Sequence, residues 1–159
     1  MSRDDTEQTR SMLDAHSIDT DSLTAWLHEH LPGFEGGPIA LEKFKGGQSN
    51  PTYQLITSGK SYVMRTKPGP VAKLLPSAHA IEREFKVMQG LQGTDVPVPH
   101  MHVLCEDESI IGRAFYVMEF VQGRVLWDQT LPGMSNSERA AIYDEMNRVI
   151  AALHSVKFA

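Results

Sequence analysis

The sequence predicts an α+β fold: a five-stranded antiparallel sheet with one helix inserted after its third strand, followed by a separate amphipathic helix. Three observations carry this reading. Short segments rich in aromatic and β-branched residues recur between positions 39 and 121, separated by glycine, serine and proline. Among them, Ile81, Phe85, Met88 and Leu91 fall at the spacing of one helical face. Beyond Gly123, Ile142, Met146, Val149, Ile150 and Leu153 form a second such stripe.

Taken in order, residues 1–18 are mostly polar and charged and cannot build a buried face, so a flexible tail is expected there. Leu23, Trp26, Leu27 and Leu31 then fall at helical spacing behind an Asp/Ser start, and Pro32-Gly33 ends the helix. Residues 39–44, 52–57 and 61–66 read as a three-stranded meander with turns at Gly46-Gly47 and Ser58-Gly59-Lys60. Pro68-Gly69-Pro70 interrupts it, and residues 77–91 read as the inserted helix. Val96-Pro97-Val98-Pro99 returns the chain to an extended form, because a residue before proline avoids the helical region. Strands at 101–104 and 114–121 follow, joined across Glu106-Asp107-Glu108. Ser135 and Glu138 have capping-box spacing at the start of the last helix. Trp26 and Trp127 are expected to be packing residues.

Composition excludes several classes. The chain of 159 residues has room for one domain or one lobe of a larger enzyme. With 41% apolar and 22% charged residues it reads as globular. No apolar run approaches the roughly 18 residues needed to span a bilayer, so no membrane association is expected. The polar N-terminus lacks the apolar core of a secretory signal, which makes a cytoplasmic location the expectation. A single cysteine, Cys105, permits neither an internal disulfide nor a cysteine cluster for zinc. A formal charge of -5 argues against nucleic acid as a partner. His28 and His30 would lie on a helix and point apart, while His100 and His102 would share a strand face without a third ligand nearby, so no metal site is assigned.

Four segments carry chemistry. Gly46-Gly47-Gln48-Ser49-Asn50-Pro51-Thr52-Tyr53 lies between two strands, where paired glycines either form a plain hairpin turn or let backbone N–H groups cover phosphates. Tyr62-Val63-Met64-Arg65 ends a strand on a cation that could serve as a phosphate ligand or as a surface charge, with Lys67 as a second candidate. On the following helix Glu84 is the chosen partner for that cation and Glu82 the competitor. Positions two apart on a helix are about 200° apart, so both cannot face one cation. Phe115-Tyr116-Val117-Met118-Glu119-Phe120-Val121-Gln122-Gly123 is either a central strand with its turn or a strand entering a hinge.

The order of these elements resembles the aminoglycoside phosphotransferase and choline kinase superfamily. The subgroup linked to acyl-CoA dehydrogenase domains is most similar, through Gly-Gly-Gln-Ser-Asn-Pro-Thr-Tyr and Val-Met-Arg-Thr-Lys-Pro. The likeness runs from about residue 19 to 156. It implies a protein-kinase-like N-lobe over 19–122 and, over 123–159, the hinge exit and first helix of an incomplete C-lobe. It further implies ATP with magnesium as cofactor and transfer of the γ-phosphate to a hydroxyl of a small metabolite in the intact protein. The nucleotide contacts would be Gly46, Gly47, Gln48, Ser49 and Asn50 over the phosphates, Val63 and Met118 as pocket walls, Arg65 held by Glu84, and the backbone at Glu119 and Val121 on the adenine edge.

The sequence departs from that pattern in two respects: Arg65 stands where many relatives have lysine, though arginine is common in the subgroup, and the catalytic loop is missing. The family's His-Gly-Asp loop with its asparagine is absent: no His-x-Asp occurs, and none of Asn50, Asn136 and Asn147 has an aspartate five residues before it. Base and magnesium ligands would therefore lie in a C-lobe beyond residue 159, no catalytic residue is assigned, and the chain alone is expected to be inactive. The alternative is a non-catalytic module that binds a nucleotide or a protein. An uncovered apolar face on the last helix would also promote self-association.

Overall fold

A computed structural model describes residues 18–45, 50–68 and 80–157. Of the tail expected over residues 1–18, residues 1–17 lie outside them, whereas Ile18 is buried in the core. Compact packing divides the described chain into two units. One comprises the residues up to Gln89 together with Pro99–Phe120, and the other comprises Gly90–Val98 with the residues from Val121 on.

The first unit is built on the predicted sheet. Its strands are β1 (Ala40–Lys43), β2 (Thr52–Ile56), β3 (Ser61–Thr66), β4 (Met101–Cys105) and β5 (Phe115–Glu119). Every neighbouring pair is antiparallel, in the order β1-β2-β3-β5-β4. The chain thus leaves β3, forms the outer strand β4 and returns as β5 beside β3. Helix α1 (Thr20–His30) precedes the sheet, and Asp19 caps it by accepting from the N–H groups of Asp21 and Ser22 at 3.0 and 3.1 Å. Helix α2 (Ile81–Leu91) is the inserted element; of the expected 77–91, residues 77–79 lie outside the described residues and Ala80 precedes the helix, its carbonyl accepting from the Arg83 and Glu84 N–H groups.

Strand alternation gives the sheet two apolar faces. Tyr53, Leu55, Tyr62, Met64, Phe115 and Val117 lie on one, covered by Leu23 and Leu27 of α1. Trp26 adds an edge-on contact with Phe115 at 5.1 Å between ring centroids. Tyr116, Met101, Leu104 and Met118 lie on the other, against Ile81, Phe85 and Met88 of α2. A register shift between Met101 and Val103 moves one residue of β4 out of step. It lets Met101 and Leu104 share the α2 face, which a strict two-residue period would forbid. The result is a helix–sheet–helix sandwich whose mid-layer carries the candidate site.

The second unit contains α3 (Asn136–His154). Its start has the predicted capping box: Glu138 N–H donates to Ser135 Oγ at 3.3 Å, and Ser135 N–H donates back to Glu138 Oε2 at 2.8 Å. The helix has no buried residue, and Met146, Ile150 and Leu153 are exposed. Trp127, expected to pack, is 74% exposed instead. It sits in an irregular stretch, residues 121–130, in which every residue is exposed.

Candidate functional site

The α2-facing side of the sheet gathers most of the polar residues singled out in the sequence. Register makes Thr52, Arg65 and Tyr116 direct neighbours across β2, β3 and β5. One row along, Gln54, Val63 and Met118 are neighbours in the same way. Arg65 and Val63 are two apart on β3 and so project to the same side. A cation and an apolar surface of two side chains therefore share one face.

Glu84 reaches this row from the first turns of α2. Its Oε2 accepts from Arg65 Nε at 2.8 Å and from the Tyr116 hydroxyl at 3.2 Å, and its Oε1 accepts from Asn50 Nδ2 at 2.9 Å. Arg65 in turn donates through Nη1 to Thr52 Oγ1 at 3.0 Å, and the Thr52 hydroxyl donates to the Asn50 carbonyl at 3.2 Å. Asn50, Glu84, Arg65 and Thr52 thus close a ring of hydrogen bonds. Three of the five guanidinium N–H groups, those on Nη2 and the second on Nη1, make no bond to any described residue.

Glu82 is not a rival for Arg65, because it forms its own ion pair with Lys67. The carboxylate is held below its ordinary range: burial opposes ionisation, but the bond and charge of Lys67 outweigh it. Two cations two apart on one chain segment are matched by two carboxylates two apart on the helix. Lys67, the second candidate for phosphate, is engaged in this way.

Tyr116 is 1% exposed, and its hydroxyl is pushed well above the ordinary tyrosine value. Burial is the main cause, reinforced by the Glu84 carboxylate and only partly offset by Arg65. The phenol is consequently a fixed proton donor to Glu84 and has no role as a base. Sequence reading missed both Tyr116 and Thr52. Their part follows from strand register, and the pairing of β3 with β5 joins segments about fifty residues apart in the chain.

Asn50, expected among the residues covering phosphates, is buried, and its side-chain amide donates to Glu84. Gly46, Gly47, Gln48 and Ser49 lie outside the described residues. Glu119 also needs a distinction between its groups. Its N–H donates to the His100 carbonyl at 2.8 Å, and its carboxylate accepts from His100 N–H at 3.1 Å, so the N–H is already engaged in the first unit. Val121 belongs to the second unit and is exposed. Beside the row, Phe44 and Phe120 stack nearly parallel with centroids 6.4 Å apart.

His30 stacks on Trp26, and His100 meets His102 edge-on at 4.7 Å. Cys105 is buried, and burial raises its thiol above the ordinary value, which suits a structural role. Among the described residues no group of three His, Cys, Asp or Glu side chains could hold a metal ion, and no helix is long and apolar enough to cross a membrane.

A strand-borne cation braced by a helix carboxylate is an arrangement suited to phosphate, and comparison with known proteins agrees. The family model described as the phosphotransferase enzyme family matches residues 40–159, and the chain belongs to that family. A crystal structure assigned as an aminoglycoside phosphotransferase from Ralstonia eutropha is 63% identical with a TM-score of 0.74, covering 88% of this chain and 39% of that one. The fold is accordingly that of the N-terminal part of the kinase-like phosphotransferases. Among curated proteins, acyl-CoA dehydrogenase family member 11 of Rattus norvegicus is 45% identical over 159 residues, covering 98% of this chain and 20% of its own length. Acyl-CoA dehydrogenase family member 10 of Mus musculus is 46% identical over 148 residues, covering 93% and 14%. The chain therefore spans about one fifth or less of these relatives.

Proposed function

We propose that the first unit is the nucleotide-binding part of an ATP-dependent small-molecule kinase. In the intact protein the γ-phosphate would pass to a hydroxyl of a small metabolite. The observation that carries this reading is the Arg65–Glu84 pair, with the outer N–H groups of the guanidinium bonded to no described residue. Phosphoryl transfer needs positioning and neutralisation of charge more than covalent help from the protein. A guanidinium fixed at two of its N–H groups presents the others to phosphate oxygens with little orientation left to lose.

Val63 and Met118 would supply the apolar wall for the base, and the Glu119 carbonyl an acceptor for its amino group. Gly46, Gly47, Gln48 and Ser49 would cover the phosphates. Magnesium would neutralise phosphate charge when bound, held with the nucleotide by residues other than those described here. A cytoplasmic location and association of α3 with a second copy belong to the same reading.

Because the sequence has no His-x-Asp, the chain by itself would bind ATP without transferring phosphate, and in isolation it would behave as a non-catalytic nucleotide module. Thermal denaturation with and without ATP and Mg²⁺ tests this. At 100 times Kd, ligand should stabilise the native state by about 2.7 kcal/mol, and Arg65→Ala should lose that effect. Indifference of the wild-type chain to ATP would overturn the nucleotide reading. ATP turnover at ordinary kinase rates would overturn the claim of inactivity.

A further inference from the structure

Two members of the ring of hydrogen bonds, Asn50 and Thr52, take no part in its charge pairing. Asn50 lies directly after the glycine segment, is 3% exposed, and gives its amide to the one oxygen of Glu84 that Arg65 does not use. Its own carbonyl receives the Thr52 hydroxyl, and Thr52 receives Arg65. Asn50 is therefore tied to both ends of the ion pair, to Glu84 through its side chain and to Arg65 through its carbonyl and Thr52.

We propose that Asn50 is a positioning residue for the Arg65–Glu84 pair, fixing the carboxylate so that the guanidinium is oriented for phosphate. This rests on the nucleotide reading above. A carboxylate free to rotate would offer Arg65 either oxygen and several geometries. With Oε1 held by Asn50 and Oε2 shared by Arg65 and Tyr116, the plane of the Glu84 carboxylate is fixed from three directions. That fixes the guanidinium plane, on which two-point contact with phosphate depends. The neutral amide matters as much as its place, since it donates without adding charge.

Asn50→Asp tests the idea because it keeps the shape and reverses the chemistry. Two carboxyl groups at this distance share a proton more readily than they ionise together. The groups facing the pair are Arg65 from β3, the Tyr116 hydroxyl from β5 and the Thr52 hydroxyl from β2, with Lys67 and Glu82 paired alongside. Relative to wild type at the same pH, Asn50→Asp should weaken ATP binding by about tenfold or more at pH 8. It should recover most of that loss at pH 5.5, when one shared proton restores a donor. Asn50→Ala, which adds no charge, should weaken binding at both pH values without recovery.

If Asn50→Asp is unfolded at pH 8 and folds at pH 5.5, as followed by circular dichroism without nucleotide, that too supports the contact. Failure of wild type to bind ATP would sink the underlying reading. Wild-type binding with both variants unimpaired, or a loss in Asn50→Asp that does not change with pH, would overturn the role of Asn50 alone.

Discussion

Thr52 and Arg65 stand directly opposite each other on β2 and β3, and the Thr52 hydroxyl accepts Arg65 Nη1 at 3.0 Å while donating to the Asn50 carbonyl at 3.2 Å. A side chain of ordinary β-propensity thus does two jobs in the site. Thr52→Val keeps the branched shape that suits a strand and removes both bonds. Each such bond is worth about 1 kcal/mol, so the loss of both should lower the melting temperature by roughly 4–8 °C. Thr52→Ser should lose less, and differential scanning calorimetry of the pair separates the hydroxyl from the shape.

Tyr116→Phe tests the other donor to Glu84. With the hydroxyl removed, Glu84 loses one of its three partners, at a cost of about 1 kcal/mol. The folded-state value of this phenol lies above the unfolded one. Its contribution is therefore complete below the unfolded value of about 10 and is lost as pH rises from there towards the folded value. Ultraviolet titration should show equal phenolate absorbance at pH 11 for wild type and Tyr116→Phe, because Tyr116 does not ionise there. A smaller signal in the variant would contradict its environment.

The strands were legible because each is short, apolar or β-branched, and bounded by glycine or proline; their observed limits differ from the expected ones by three residues or fewer. The amphipathic pattern of α1 was equally plain, but a stripe of Leu23, Trp26 and Leu27 does not say which sheet face it will cover. The polar site was only half legible. Arg65 and Glu84 announce themselves as charges in the right order, and the angular argument separates Glu84 from Glu82 without assigning either. Thr52 and Tyr116 required the register, and the inward turn of Asn50 required the three-dimensional structure, since a residue beside a glycine loop can face either way.

His102 gives a pH dependence of the opposite sense to that of Tyr116. Burial is the main force holding its imidazole below the ordinary value, with His100 and Lys60 adding to it and Glu119 opposing. The folded state thus favours the neutral ring. Stability from this residue should be complete above about pH 6.5 and decline as pH falls below it. Urea denaturation at pH 7.5 and 5.5 should show the decline in wild type and a smaller one in His102→Gln.

Met146, Ile150 and Leu153 lie exposed at steps of four and three on α3. Such a stripe favours association with a second copy. Sedimentation velocity should show association that grows with concentration, and Ile150→Lys should reduce it. A monomer at high concentration would remove self-association from the proposal.

Sheet order has one more consequence. β3 lies between β2 and β5, while β1 and β4 form the outer edges. The peptide groups of β3 are bonded on both flanks, so fraying of either border leaves the backbone under Arg65 in place. Deuterium should enter β1 and β4 first and reach the amides of residues 62–65 last. The chain has thus put its most exacting charge on the part of its architecture that opens least.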